Sequence, residues 1–511
     1  MGNISRGSMS GTLSEKAGFD YKRYLALQSE HIRERISRFG GKLYMEFGGK
    51  MFDDFHASRV LPGFEPDSKV MMLTQLRDQV EVIIVINSGD IEKNKVRGDT
   101  GVTYDLEVLR SIDAFRERGF YVSSVVLTRY NSQHAANQFR EKLAALGMNV
   151  YKHYMIDGYP SDIQHIVSDE GFGKNEYVIT DRSLIVVTGP GSGSGKMAMC
   201  LSQLYHDHKN GIKAGYAKYE TFPVWDLPLK HPVNLAYEAA TADLDDVNMI
   251  DPFHLEAYGK TAINYNRDVE TFPVLNAMME KISGSSPYRS PTDMGVNMAR
   301  SCIIDDDVVK HACEQEIIRR YFNARCAVKE GFGKDSSVVK LEILMKQAGI
   351  SPSDRKVAGH VMNESACGRA VVGIELRDGT IVTGKSSPLM CASAAMILNT
   401  LKTIGKIDDS MPLISPYVIE PVREMKTEYL GNKSPRLQAD EILVALSVSA
   451  ATSPAADVAI KKLPELRGCE AHSSVILASA DERVLRKLGI NVTCEPQYLT
   501  ANLYQGGKMS E

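Results

Sequence analysis

The sequence predicts a multidomain α/β protein whose first domain is a doubly wound parallel sheet. Three observations carry this. At 511 residues the chain exceeds the size at which one hydrophobic core stops growing. Short apolar, β-branched runs alternate with stretches of helical spacing through the first part of the chain. The loops that follow those runs are polar and rich in turn residues, as they are at the binding edge of such sheets.

In chain order, VEVIIVIN (Val80 to Asn87) reads as a buried strand, and TYDLEVLRSIDAFRERG (Thr103 to Gly119) reads as a helix stopped by glycine. FYVSSVVLT is the next strand, SQHAANQFREKLAALG the next helix, and NVYKHYMI and SLIVVTG are further strands. Their trailing loops are NSGDIEKNKVRGDTG, TRYNSQ, DGYPSD and GPGSGSGK. The first is longer than a strand-to-helix loop needs to be, and it presents Asn87, Asp90, Lys93, Arg97 and Asp99 on the expected binding edge. Arg129 lies on the second.

The last loop is P-loop-like. A glycine-rich turn between a buried strand and a helix turns successive backbone N–H groups toward an anion at the positive end of the helix dipole. Gly189, Gly191, Gly193 and Gly195 supply the backbone freedom, Ser192 and Ser194 alternate with them, and Lys196 brings an ammonium. The spacing departs from G-x-x-x-x-G-K-[ST]: Pro190 stands at the first glycine position and Met197 at the magnesium-holding hydroxyl position. Phosphate or a nucleotide is therefore the ligand class these residues suit, and ordinary Mg-ATP hydrolysis fits them poorly. Asp226 and Asp251 are the weak candidates for a metal-holding partner, and no residue set declares itself as a metal site.

Composition narrows the setting. The chain is 43% hydrophobic and 24% charged, with a net charge of −4, which gives no electrostatic reason to expect nucleic acid or an anionic membrane. Its eight cysteines form no C-x-x-C pair, which suits reduced thiols better than a disulfide frame. No apolar stretch has the length of a membrane span, and the opening residues lack the apolar stretch of a signal peptide. The expected location is the cytoplasm. Homo-oligomerisation is expected on base rates alone.

Four segments follow: a flexible tail at 1–20, the sheet domain with its glycine loop at 21–235, a mainly helical domain at 236–350, and a C-terminal α/β domain at 351–511. PVLNAMMEKI, VVKHACEQEIIRRYFNARCAVKEG and SSVVKLEILMKQAG give the third its helical character. In SSPYRSPTDMGVNMA, Ser290 or Thr292 suits a helix N-cap, and Arg289 suits an anion clamp at that helix start. RAVVGIELRDGTIVTGKSS reads as a hairpin about Asp378-Gly379, feeding the apolar helix of PLMCASAAMILNTLKTIG. A zinc deaminase needs H-x-E and P-C-x-x-C. Here Cys391 stands alone, so core packing is its expected role.

MEFGGKMFDDFHASRVLPGFEPDSKV, INSGDIEKNKVRGDTGVTYD, GPGSGSGKMA, YRSPTDMGVNMA and DGTIVTGKSSPLMCASAA together resemble an uncharacterised bacterial family, the domain of unknown function numbered eighteen forty-six. The likeness runs over nearly the whole chain. It implies a large α/β part, a helical insertion and a C-terminal α/β part laid out like cytidine deaminases. Members have sometimes been labelled ATP-dependent peptidases, but neither H-E-x-x-H nor G-x-S-x-G occurs here. The expectation is a protein that binds a phosphorylated small molecule or nucleotide. As an enzyme it would transfer a phosphoryl or nucleotidyl group; the alternative is a non-catalytic ligand-binding or assembly protein with a degenerate phosphate loop.

Overall fold

A computed structural model describes residues 17–499 apart from Asp53, 98–100, Asp245 and Cys367. It is a mixed α/β structure in two compact units, Met1–Cys313 and Glu314–Glu511.

The first unit is built on six strands in chain order: β1 (Leu43–Phe47), β2 (Val80–Asn87), β3 (Tyr121–Tyr130), β4 (Asn149–Tyr154), β5 (Leu184–Thr188) and β6 (Gly215–Tyr219). A two-stranded ribbon, β7 (Asn248–Ile250) and β8 (Ile263–Tyr265), stands apart, and β9 (Gly295–Val296) returns to the main sheet. The seven-stranded sheet has the order β4-β3-β2-β5-β1-β6-β9, and all its pairs are parallel. β2 and β5 are apolar and buried nearly throughout, as strands covered on both faces must be. Over one face, Met199, Cys200 and Leu204 of helix Lys196–Lys209 pack with Phe272, Leu275 and Met279 of helix Asn266–Ser283 against Tyr44, Val85 and Val187.

The polar beginning gives way early: Phe19 is buried, and Asp20 caps helix Tyr21–Arg38 by accepting the Arg23 N–H at 3.0 Å. The 236–350 stretch contains the long helices its spacing predicts, Asn266–Ser283, Asp306–Lys329 and Asp335–Ala348. It also holds β7, β8 and β9, and β9 ties residues up to 313 into the sheet unit rather than a separate helical body. Strands of two or three residues are too short to register a period of two.

In the second unit, β10 (Val371–Glu375) and β11 (Ile381–Lys385) form the antiparallel hairpin read around Asp378-Gly379. β12 (Glu470–Ser473) pairs antiparallel with β10, and β13 (Asn491–Cys494) pairs parallel with β12. The resulting order is β11-β10-β12-β13. Arg355, 1% exposed, holds this sheet: it reaches Glu470 at 2.5 Å, the Ala471 and Asn491 carbonyls at 2.8 Å, and Thr493 Oγ1 at 2.9 Å. The apolar helix begins at Ala392, later than Pro388 where its stretch opens, and Cys391 is its N-cap. Among the described residues no helix is long and apolar enough to cross a membrane.

Candidate functional site

The strand order creates one topological switch point. From β2 the chain moves toward β3 and β4, whereas from β5 it moves across β1 to β6. The two connections leave in opposite directions and open a crevice outside the carboxyl ends of β2 and β5, the general ligand position in such sheets. The glycine loop, residues 189–195, occupies the β5 side of that crevice.

Close approach fixes its shape. A Cβ on Gly189 would lie 2.4 Å from the Val85 carbonyl, so only glycine lets the chain leave β5 here. Gly195 has φ +90, and a Cβ there would meet Thr128 Oγ1 at 2.9 Å and its Cβ at 3.0 Å. Thr128, at the end of β3, donates from that hydroxyl to the Ser194 carbonyl at 2.6 Å. Ser194 Oγ donates to the Gly191 carbonyl at 2.7 Å, and Asn87 Nδ2 donates to the Gly193 carbonyl at 3.4 Å. Ser192 is exposed on the loop. Helix Lys196–Lys209 then begins with no side-chain cap and no acidic residue in its first turn, leaving its positive end open to an anion.

Beside the loop, Asn87, Asp90, Lys93 and Arg129 come together with Gly89, Gln133 and Met155 around a depression of about 260 Å³. Arg129 is exposed and has φ 49, a left-handed backbone within the register irregularity near the end of β3. Asp90 is bridged to Lys95 at 3.2 Å. Arg97 is turned to Glu107 at 2.7 Å, away from the depression's lining. Asp99 and Asp53 lie outside the described residues. Arg289 precedes β9, three strand spacings or roughly 14 Å from β5, and its guanidinium stands over the Tyr258 ring at 5.2 Å. Ser290 is the N-cap of the short helix there, in a capping box with Asp293. Asp251 is buried and accepts from Thr292 Oγ1 at 2.7 Å, so its carboxylate is engaged in local structure.

Sequence reasoning missed a partly buried ionic group on the other side of the loop. Lys196 Nζ stands 4.0 Å from Glu46 Oε1 on β1, and Tyr216 donates to Glu46 Oε2 at 2.8 Å. On β6, Lys218 pairs with Asp268 at 2.6 Å, and Glu220 follows at the strand's exit. Burial first, and then Asp268, push the Glu220 carboxyl up to about 8 against the pull of Lys218. Burial opposes the Lys218 ammonium, but Asp268, Glu220 and Glu46 outweigh it and hold its proton more firmly than usual. Tyr159 is raised by burial and then by Glu46, with Arg129 opposing, so it shares the fields of the ionic group and the depression. The group can thus hold a neutral carboxyl at neutral pH beside two ammonium groups. Glu46 and Glu220 could have been found as the acidic residues at the ends of LYMEF and GYAKYE; Asp268, fifty residues from Lys218, gives no local signal.

In the C-terminal unit, Lys385 is bridged to Glu364 at 3.1 Å. Burial and then Asp481 push the Cys391 thiol well above its ordinary range, so it stays a packed, protonated thiol.

Two family models match the chain, "Domain of unknown function DUF1846, N-terminal" over residues 17–349 and "Domain of unknown function DUF1846, C-terminal" over residues 353–504. A UPF0371 protein of Streptococcus thermophilus (strain ATCC BAA-250 / LMG 18311) is 56% identical over 493 residues, 96% of this chain and 100% of its own length. A UPF0371 protein of Streptococcus pyogenes serotype M5 (strain Manfredo) is 55% identical over 489 residues, 95% of this chain and 99% of its own length. With both halves matched and relatives aligned end to end, the chain belongs to the DUF1846 family.

Proposed function

We propose that this protein binds a phosphorylated small molecule or nucleotide on a P-loop-like turn, with the phosphate against Gly189 to Lys196 and the remainder over the depression lined by Asn87, Lys93 and Arg129. The observation that carries the reading is the uncapped start of helix Lys196–Lys209 at the switch point of a parallel sheet. Lys196 supports it: a 4.0 Å contact with Glu46 is loose and leaves ammonium donors for an anion.

As an enzyme the protein would transfer a phosphoryl or nucleotidyl group, chemistry that rests on electrostatic positioning. Glu220 would be the residue that holds and releases a proton near neutral pH. Met197, standing where a magnesium-holding hydroxyl would be, favours a second reading, a non-catalytic ligand-binding or assembly protein. Magnesium-dependent turnover separates the two. The proposed setting is the cytoplasm, with neither nucleic acid nor membrane as partner, in a chain that self-associates. For the C-terminal unit we propose the layout of cytidine deaminases without their metal; the order β11-β10-β12-β13 supports this.

The test is a thermal-shift screen against nucleotides, sugar phosphates and inorganic phosphate, with and without Mg²⁺, on the natural chain and on Lys196→Ala. A ligand at about a hundredfold over its Kd stabilises by roughly 2.7 kcal/mol. A shift lost in the variant supports the reading. The absence of any shift, or one indifferent to Lys196, overturns it.

A further inference from the structure

A second cleft, of about 270 Å³, lies against β9, well away from the glycine loop. It is lined by the last turns of helix Tyr21–Arg38 and by the segment leading into and out of β9. Arg35 donates to the Met294 and Gly295 carbonyls at 3.5 and 2.8 Å, and Arg38 donates to the Pro287 carbonyl at 3.2 Å. Neither guanidinium meets a carboxylate among the described residues, and each has N–H donors beyond those bonds. Arg289 stands over Tyr258 beside the cleft, its guanidinium also without a carboxylate partner among the described residues.

The one carboxylate in the lining, Asp293, is already engaged: its Oδ2 accepts from Tyr258 OH at 2.9 Å and from the Arg289 and Ser290 N–H groups at 3.0 and 3.1 Å. The lining thus carries two guanidinium groups against one carboxylate, and Arg289 adds a third positive charge beside it, on a chain whose overall charge is −4. Another part of the lining is aromatic. Trp225 and His254 rings are 6.1 Å apart, and His254 and Tyr258 rings are 4.7 Å apart.

We propose that this cleft is a ligand site distinct from the glycine loop, taking a small organic phosphate whose flat ring lies along Trp225, His254 and Tyr258 and whose dianionic phosphate is held by Arg35 and Arg38 with Arg289 beside them. The unmatched charge selects a dianion over a lone carboxylate, since one arginine fork satisfies a carboxylate. The aromatic wall selects a ring-bearing phosphate over the inorganic ion.

Trp225 is the only tryptophan in the chain, so fluorescence excited where tyrosine does not absorb reports on this cleft alone. AMP, adenosine and inorganic phosphate are titrated into the Lys196→Ala chain, in which the glycine loop is disabled, with calorimetry in parallel. The expected result is a saturable signal for AMP, with adenosine and inorganic phosphate each binding at least tenfold more weakly. Arg38→Gln and Arg289→Gln, both at exposed positions, should each weaken AMP by about tenfold or more. Neither heat nor fluorescence change to millimolar AMP overturns the proposal. So does AMP binding indifferent to both arginines, or inorganic phosphate binding as tightly as AMP. None of these outcomes bears on the glycine loop, which is tested on the natural chain.

Discussion

Replacing Glu220 by Gln should make the protein more stable in alkali, by an amount the site itself sets. In the folded chain this carboxyl ionises at about 8, against 4.5 for an ordinary glutamate. Below 4.5 both folded and unfolded chains hold the proton, and the group contributes no pH dependence. Between 4.5 and about 8 the unfolded chain gives up its proton while the folded chain keeps it, so stability falls as pH rises. Above about 8 both are ionised and the loss is complete. At about 1.4 kcal/mol for each pH unit, the rise amounts to about 5 kcal/mol. Glutamine has the shape of the protonated acid and does not titrate. Glu220→Gln should therefore match the natural chain near the acid end and exceed it progressively toward pH 8, with the gap approaching about 5 kcal/mol. Urea midpoints for both chains across this interval measure the gap directly. Parallel midpoints at every pH would mean that Glu220 ionises normally and would remove it as the proton-holding group of the site.

Gly195→Ala forces a side chain into a left-handed backbone, at about 1–2 kcal/mol, and onto Thr128; thermal unfolding should show the loss, with Thr128→Ala restoring part of it. Arg355→Leu leaves Glu470 with one guanidinium partner fewer in a buried setting, and should cost about 3–5 kcal/mol in chemical denaturation. Cys391 should resist alkylation in the native chain at neutral pH and react only as the chain unfolds, which mass spectrometry of the labelled peptides checks.

Most of the sheet could be read from the chain because burial on both faces leaves a mainly apolar, β-branched signature. VEVIIVIN, YVSSVVLTRY and LIVVT are such runs, and each is a strand. β1 and β6 escaped notice for the opposite reason: LYMEF and GYAKY break their short apolar runs with Glu46 and Lys218, the charges that the site gathers. The pentapeptide ETFPV shows the limit of local reading. Its first copy leaves β6 through a cis Phe222–Pro223 bond, while in its second Pro273 sits inside a helix, so tertiary context chose the conformation. The glycine loop was legible because glycine is demanded by close approach, and so was the meeting of Asn87, Asp90, Lys93 and Arg129 at the strand ends. The Lys218–Asp268 pair and the Arg35–Arg38 cleft depend on chain segments brought together over long separations, which no periodicity records.

β5 has a role in assembly that its length conceals. Bonded to both β2 and β1, it joins β4-β3-β2 to β1-β6-β9 as a keystone joins two half-arches. Until residue 188 has left the ribosome, β1 and β2 each present a bare edge, and neither can close on the other without burying the gap that β5 must fill. A chain interrupted before Leu184 would carry β1 with both edges bare and β2 with one, and its fate would be aggregation rather than a smaller fold. The strand that bridges β2 and β1 runs straight into the glycine loop, so the loop takes shape only once those two strands are joined.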